Sequence, residues 1–183
     1  MTGAQVTFNG TPAPIFYSSP NQLGVEIPTE LTGVSATVQV TVGGQASSPQ
    51  PVAIAPVSPG IFTFTSDGKG PGAFTHVDGS PVNQQNPAHA GELVILYATG
   101  LGQVTPSVPT GALPGGASAT VAATTLTIDS ITVRPDFAGL AGCCVGLNQA
   151  NVRLPANTRS AINIPVVLSI GGKASNPVTI AVQ

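Results

Sequence analysis

The sequence predicts an all-β protein made of two related immunoglobulin-like β-sandwich units, the first of them incomplete. Three observations carry this. Short aliphatic runs alternate with polar residues at period two, Gly, Pro and Asn punctuate those runs, and two stretches of the chain repeat one another in order and spacing.

Of 183 residues, 42% are hydrophobic and only 7% charged, with 22 Gly and 18 Pro. So much Gly and Pro beside so little charge would suit a disordered chain, but disorder gives no reason for aliphatics to fall in alternating runs. The Gly and Pro therefore read as turns. The net charge is −2, and the five basic residues (Lys69, Arg134, Arg153, Arg159 and Lys173) are scattered. No basic stripe can form for a phosphate backbone, so no nucleic-acid partner is expected. The longest apolar runs, such as Leu93–Ala98, fall far short of the ~20 residues of a membrane-crossing helix. Met1 is followed by Thr2-Gly3-Ala4-Gln5 and a strand, without the charged and apolar regions of a signal peptide, so export would be encoded upstream.

The first copy of the repeat reads Val6-Thr7-Phe8, then Asn21-Gln22-Leu23-Gly24-Val25-Glu26-Ile27-Pro28, then Val38 to Val42 with Gly43-Gly44 and Pro49. The second reads Ile131-Thr132-Val133, then Asn148 to Pro155, then Val166 to Ile170 with Gly171-Gly172 and Pro177. Asn21 to Asn148 and Pro28 to Pro155 are each 127 positions apart and Gly43 to Gly171 is 128, so one residue of loop absorbs the drift. Each copy predicts a strand, a loop, a strand closed by Pro, a polar connection and a hairpin. Val38, Val40 and Val42 share one face, and the Gly-Gly pairs supply the positive φ of a two-residue hairpin turn. Val52 and Ile54, and later Val178, Ile180 and Val182, return as partner strands.

The second copy is preceded by Gly91–Gly102, a Pro/Gly-rich connection and Ala119–Ile128, which read as the opening strands of its sandwich. The first copy has no counterpart, so the expected units are residues 1–57, partial, and 58–183. A partial sandwich leaves an apolar face and a strand edge open. The expectation is that this gap is filled by docking on the second unit or by another copy of the chain, with a homo-oligomer as one outcome.

At Phe8–Tyr17, Asn21-Gln22, Ser58-Pro59-Gly60-Ile61-Phe62, Asn86-Pro87-Ala88, Tyr97–Gly102 and Phe137–Leu140 the chain resembles the Solibacter-type C-terminal domain, a module at the ends of large secreted bacterial proteins. Gly91–Gly102 is also similar to the start of an Ig-like IPT domain. The resemblance implies an extracellular β-sandwich, placed outside the cell or on its surface, and no catalytic residues. The chain departs from the family in lacking the opening strands of the first unit, and in having Cys143-Cys144 where small or aromatic residues are usual.

Candidate sites are few. Cys143 and Cys144 are the only cysteines, and neighbouring Cα atoms lie too close for ordinary disulfide geometry, so a bond between them is not expected. A loop pair is the plain reading, and an activated thiolate or a metal ligand the chemical alternative. His76 and His89 are the only histidines. Strand alternation would put His76 and Asp78 on one face, and the Asn/Gln/Pro loop before His89 could fold back, giving a His/Asp set able to hold Zn, alone or with a cysteine. No cofactor is otherwise expected. No Gly-x-Ser-x-Gly elbow occurs, and Gly68-Lys69-Gly70-Pro71-Gly72 lacks P-loop spacing and a following helix. Glu26, Glu30, Asp129 and Asp136 read as surface charges. With no Trp and 4% aromatics, Phe8, Phe16, Tyr17, Phe62, Phe64, Phe74, Tyr97 and Phe137 read mostly as core, which argues against a sugar-stacking platform, with Tyr17 the one to watch for exposure. The function expected is thus a non-catalytic extracellular structural or adhesion module that binds proteins, or itself, through a β surface or edge. The rivals are a metal-dependent hydrolase at His76, Asp78 and His89, with Cys143 or Cys144 as a further candidate, and a carbohydrate-binding module.

Overall fold

A computed structural model describes residues 3–183, so Met1 and Thr2, which the leader reading used, lie outside the described residues. The described chain is all strand, turn and loop, without helix. The first unit holds β1 (Ala4–Phe8), β2 (Thr11–Pro12), β3 (Ile15–Ser18), β4 (Leu23–Val25), β5 (Ser35–Val42), β6 (Gln45–Ala46) and β7 (Gln50–Ala53). The second holds β8 (Gly60–Ile61), β9 (Phe74–His76), β10 (Leu93–Thr99), β11 (Val104–Thr105), β12 (Ala119–Thr120), β13 (Thr124–Ile128), β14 (Ile131–Val133), β15 (Phe137–Leu140), β16 (Asn148–Arg153), β17 (Ala161–Ile170), β18 (Lys173–Ala174) and β19 (Val178–Val182).

In the second unit one sheet runs β11-β12-β15-β16-β10, with β8 and β9 both on β10. The facing sheet runs β14-β13-β17, with β18 and β19 both on β17. In the first unit β2-β1-β5, with β6 and β7 on β5, repeats that second sheet, while β3-β4 alone represents the other. The protein is therefore two Ig-like sandwich units related by an internal repeat, the first incomplete.

The register corrects one part of the sequence alignment. β1 pairs with β5 from Ala4↔Val42 to Phe8↔Val38, and β13 pairs with β17 from Thr124↔Ile170 to Ile128↔Val166. Val6-Thr7-Phe8 is thus the counterpart of Leu126-Thr127-Ile128, not of Ile131-Thr132-Val133, which is an edge strand matching Thr11-Pro12. The turns agree: Asn9 and Gly10 have φ of 51° and 83°, and Asp129 and Ser130 have 47° and 70°. Sequence identity misled because both β13 and β14 carry the same aliphatic-Thr-aliphatic pattern. It follows that the first unit does possess a counterpart of β13, and that among the described residues it has none for β8 to β12. The Gly-Gly corners match as expected, with φ of 57° and 80° at Gly43-Gly44 and 55° and 75° at Gly171-Gly172, the left-handed pair a tight hairpin needs.

The missing strands show in the burial of equivalent residues. Ile164, Val166, Leu168 and Ile170 on β17 are at most 1% exposed. Their counterparts on β5 are Ala36 at 4%, Val38 and Val40 half-buried, and Val42 at 45%. On the next strand Ile180 and Val182 are buried while Val52 and Ile54 are half-buried. Full burial of an aliphatic side chain contributes ~1.5–3 kcal/mol, so the first unit forgoes part of that at each of these positions. Its core is small: Val6, Phe8, Ala13 and Ala36, ringed by half-buried aliphatics of the same unit. Among the described residues no strand of either unit joins a sheet of the other, and Thr29, Glu26 and Glu30 of the first unit hydrogen-bond Thr110 and Gly111 of the second.

Two devices fix the linker and the entry of the second unit. Ser58 N–H donates to the Gly100 carbonyl over 2.9 Å, and Gly100 sits at φ 71° so close to the Ser58 carbonyl that any Cβ would collide with it. The Asn176 side chain accepts from Ile61 N–H at 2.7 Å and donates to the carbonyls of Ile61 and Gly68 at 3.1 and 2.8 Å. One amide thus pins β8 and the following hairpin to the β18–β19 connection. Asn176→Ala orphans an amide and two carbonyls in a part-buried place and is expected to destabilise the second unit by about 2–3 kcal/mol. Chemical denaturation reads this, and a loss below half a kilocalorie would show the latch to be dispensable.

Candidate functional site

β9 ends at His76, whose Cα is paired with that of Val94 on β10. The chain then turns through Val77-Asp78-Gly79, runs through the Asn83–Asn86 loop and re-enters β10 past His89 and Glu92. His76, Asp78, His89 and Glu92 all line one open depression of about 740 Å³. The three residues singled out from the sequence thus line one depression, together with Glu92, which the sequence reading did not single out. Glu92 gave no signal because it sits as a lone acid ahead of an aliphatic strand. The face argument for Asp78 does not hold: the strand stops at His76, and Asp78 lies in the turn, where its carboxylate accepts from Ser80 N–H and Ser80 Oγ–H at 2.8 and 2.7 Å. This is local turn chemistry of the Asx kind.

His76 is the centre of the arrangement. Its Nδ1 lies 2.5 Å from Glu92 Oε1, and its Nε2 lies 3.3 Å from the Asn86 carbonyl oxygen. An ionised Glu92 and the Asn86 carbonyl are both acceptors, so together they favour the ring that carries hydrogen on both nitrogens. Burial opposes that charge, but the Glu92 hydrogen bond, the Asn86 carbonyl and the negative charges of Glu92 and Asp78 outweigh it, and the His76 pKa is raised. Burial likewise opposes the Glu92 carboxylate, yet the His89 N–H that donates to its Oε2 at 2.8 Å and the His76 partner hold its pKa below the ordinary value. Both ring nitrogens already have hydrogen-bond partners, so Zn at His76 would have to displace Glu92 or Asn86. Among the described residues no three His, Cys, Asp or Glu side chains stand together in a metal-holding group.

Cys143 and Cys144 form a disulfide with each other, with Cα atoms 3.8 Å apart, as across one trans peptide. This corrects the expectation that the neighbours stay unbonded: the turn from Gly142 to Gly146 lets the two side chains meet on its exposed side. Neither sulfur is a free thiolate, so neither is a nucleophile in this state. Nor do the cysteines meet the histidines. The disulfide loop leads into Asn148 at one end of β16, whereas Val152 at the other end is in register with Val94 and so with His76. About 13 Å of strand separates them.

Two acids read as plain surface charges instead join the units. Glu26 Oε2 accepts from Gly111 N–H at 2.6 Å. Glu30 accepts from Thr110 N–H at 3.1 Å and Thr110 Oγ–H at 2.6 Å, and Thr29 N–H donates to Thr110 Oγ at 2.8 Å. The Thr110 hydroxyl and amide hold the Glu30 pKa below its ordinary value. The disulfide loop adds Gly146, packed against the Glu26 stem. Asp129 pairs with Arg159 at 3.1 Å and Asp136 with Arg153 at 3.7 Å. The aromatics also depart from expectation. Phe8 and Phe74 are buried, but Phe16, Tyr17, Phe62 and Phe64 are exposed, and Phe62 and Phe64 face outward because they alternate with buried Ile61 and Thr63. Phe16 sits at a bulge with its ring against Gly24. The argument from sequence against a stacking platform therefore loses its premise.

The IPT/TIG domain family matches residues 1–55, which is the first unit and not the Gly91–Gly102 segment that is similar to an IPT start. The first unit is in this sense an IPT-like module. No curated protein matches the chain. Among solved structures, the I9-I11 tandem from titin covers 98% of this chain at 12% identity with a TM-score of 0.29, too low for the superposition to carry any argument. The chain spans 54% of that structure's length.

The His76–Glu92 pair makes stability depend on pH in a defined window. The His76 contribution is whole below pH 6.5 and is lost as pH rises through its raised pKa, while the Glu92 contribution is whole above pH 4.5 and is lost as pH falls through its lowered pKa. Glu92→Gln is therefore expected to lower Tm most between pH 4.5 and 6.5. The loss there is about 2–4 °C for ~1 kcal/mol, shrinking on either side. Calorimetry of both proteins across pH checks this, and a difference that does not vary with pH would contradict it. Thiol titration of the denatured, unreduced protein is expected to find no reactive sulfur, and to find both after reduction.

Proposed function

We propose that the chain is a non-catalytic structural or adhesion module of an extracellular protein, of the Solibacter-type C-terminal domain family. Its units are a partial Ig-like unit at 1–57 and a sandwich unit at 58–183. The observation that supports this best is the junction: the Glu26 and Glu30 carboxylates of the first unit are committed to the Thr110-Gly111 backbone and hydroxyl of the second, contacts that hold the two units together. Charge committed to backbone amides positions structure and is not available to a substrate. The Cys143–Cys144 disulfide suits an oxidising compartment outside the cytosol.

A metal-dependent hydrolase at His76, Asp78 and His89 draws support from their convergence with Glu92 in one depression. It requires His76 to give up two hydrogen bonds, and Zn titration by calorimetry addresses it directly. A carbohydrate-binding role draws support from exposed Phe62 and Phe64, and retention on insoluble polysaccharide addresses that.

The structural reading predicts a fixed junction. In solution X-ray scattering the natural protein is expected to fit one arrangement of the two units, and Glu26→Gln with Glu30→Gln to broaden into an ensemble. The same loosening is expected in the natural protein on acidification, because the Glu30 contact, present above pH 4.5, is lost as pH falls through its lowered pKa. If the natural protein at neutral pH already scatters as an ensemble, the structural reading fails.

A further inference from the structure

We propose that the Cys143–Cys144 disulfide is a redox-sensitive clamp on the junction between the units: while the bond stands, its loop shields the contact of Glu26 with Gly111, and reduction by a small dithiol loosens that contact. The inference rests on the fixed junction of the proposed function and adds its regulation.

The bond is open to reagents. Cys143 and Cys144 are both exposed, on the connection from β15 to β16. A thiolate exchanges with a disulfide only where it can reach a sulfur, so this position admits exchange where a buried bond would not. The bond also fixes the shape of its loop. Gly142 and Gly146 bracket it, and neither has a side chain to anchor the turn, so the covalent ring through Cys143, Cys144 and their shared peptide acts as the local restraint. Beneath it Ala141 N–H donates to the Leu147 carbonyl at 2.8 Å, and Leu147 N–H to the Cys144 carbonyl at a long 3.4 Å. When the ring opens, the turn above that base rests on the long hydrogen bond, and the two glycines regain backbone freedom.

The loop touches the junction itself. A Cβ at Gly146 would stand 3.1 Å from Glu26 Cγ and 3.3 Å from its Oε1, so the loop lies directly on the carboxylate whose Oε2 accepts from Gly111 N–H at 2.6 Å. Glu26 is half-buried, whereas Thr29 and Glu30, which bond Thr110, are exposed. A hydrogen bond shielded from water contributes more than one left in it. The disulfide loop therefore covers the better-shielded contact, and its release opens Glu26 to water while Glu30 stays in place. The junction loosens without coming apart.

The chemistry is thiol–disulfide exchange. One thiolate of the dithiol attacks a cysteine sulfur, the Sγ–Sγ bond breaks, and the other cysteine leaves as a thiolate that takes a proton from water. The second sulfur of the dithiol then displaces the first cysteine, which is protonated in turn, and closes the reagent's own disulfide. Two electrons pass from the dithiol to the cysteines, and the two protons it sheds match the two they take up.

The test compares the full chain oxidised, reduced with excess dithiothreitol, and as Cys143→Ser with Cys144→Ser, all at neutral pH. In solution X-ray scattering the oxidised protein is expected to fit one arrangement of the units, the reduced and serine proteins a broader set, and reoxidation to restore the first. Hydrogen exchange at Gly111 is expected to quicken by about two- to tenfold on reduction, the range set by one amide hydrogen bond, with β17 unchanged. Dithiothreitol is expected to change nothing further in the serine protein. Scattering and Gly111 exchange that reduction leaves as they were would overturn the clamp while the fixed junction stands. Lost protection in β17 on reduction would also overturn it, since the bond would then serve the fold of the second unit. So would an equal response of the serine protein to dithiothreitol. An oxidised protein that already scatters as an ensemble would remove the fixed junction, and the clamp with it.

Discussion

An apolar sheet face must lie against another layer to be stable, and this chain meets that requirement fully in one place and by half in another. β5 and β17 carry the same alternating aliphatics, turn the same Gly-Gly corner and pair in the same register with the strand that opens each repeat. They differ in what lies across from them. Beneath β16 and β10, the inward residues of β17 are shut away from water; beneath β4 alone, those of β5 remain wet. Since the hydrophobic contribution follows area removed from water, the same local sequence contributes unequally to the two units.

The remaining architecture compensates with polar contacts where apolar cover is short. The first unit is tied to the second through Glu26, Thr29 and Glu30 at its Pro28 end, and the linker is clamped where Ser58 meets Gly100. Hydrogen bonds from amides to a carboxylate are among the stronger ones available at a surface, and they are directional, so they hold orientation as well as proximity. The disulfide loop lies against the same junction through Gly146, which places the covalent cross-link beside the Glu26 carboxylate.

The depression around His76 follows a different logic. A histidine set between a carboxylate and a carbonyl is favoured as a donor on both sides, and the same carboxylate accepts from His89 N–H, so Glu92 and Asn86 tie the 83–89 loop to β9 and β10. Such a group resembles a metal site in composition while being occupied in its hydrogen-bond chemistry. Composition was visible in the sequence. Occupancy was not, because it depends on Glu92 and on the path of the 83–89 loop.

Read alone, the sequence determined the class of fold: period-two aliphatics, Gly-Gly corners and a repeat offset of 127 to 128 residues leave little but paired β-sandwiches. It left open whether His76, Asp78 and His89 gather, because a polar loop that could fold back separates them and the strand-face argument for Asp78 fails where β9 stops at His76. It misplaced the first strand, because β13 and β14 share one residue pattern and only the hydrogen-bond ladder tells a central strand from an edge. It misjudged Cys143-Cys144, Glu26, Glu30 and the outer aromatics, since a side chain's role at a surface is fixed by what the rest of the chain brings opposite it. Tertiary structure alone decided which equivalent valines are dry and which are wet. That difference lies in the presence or absence of a neighbouring layer, and no pattern within a strand encodes its neighbour.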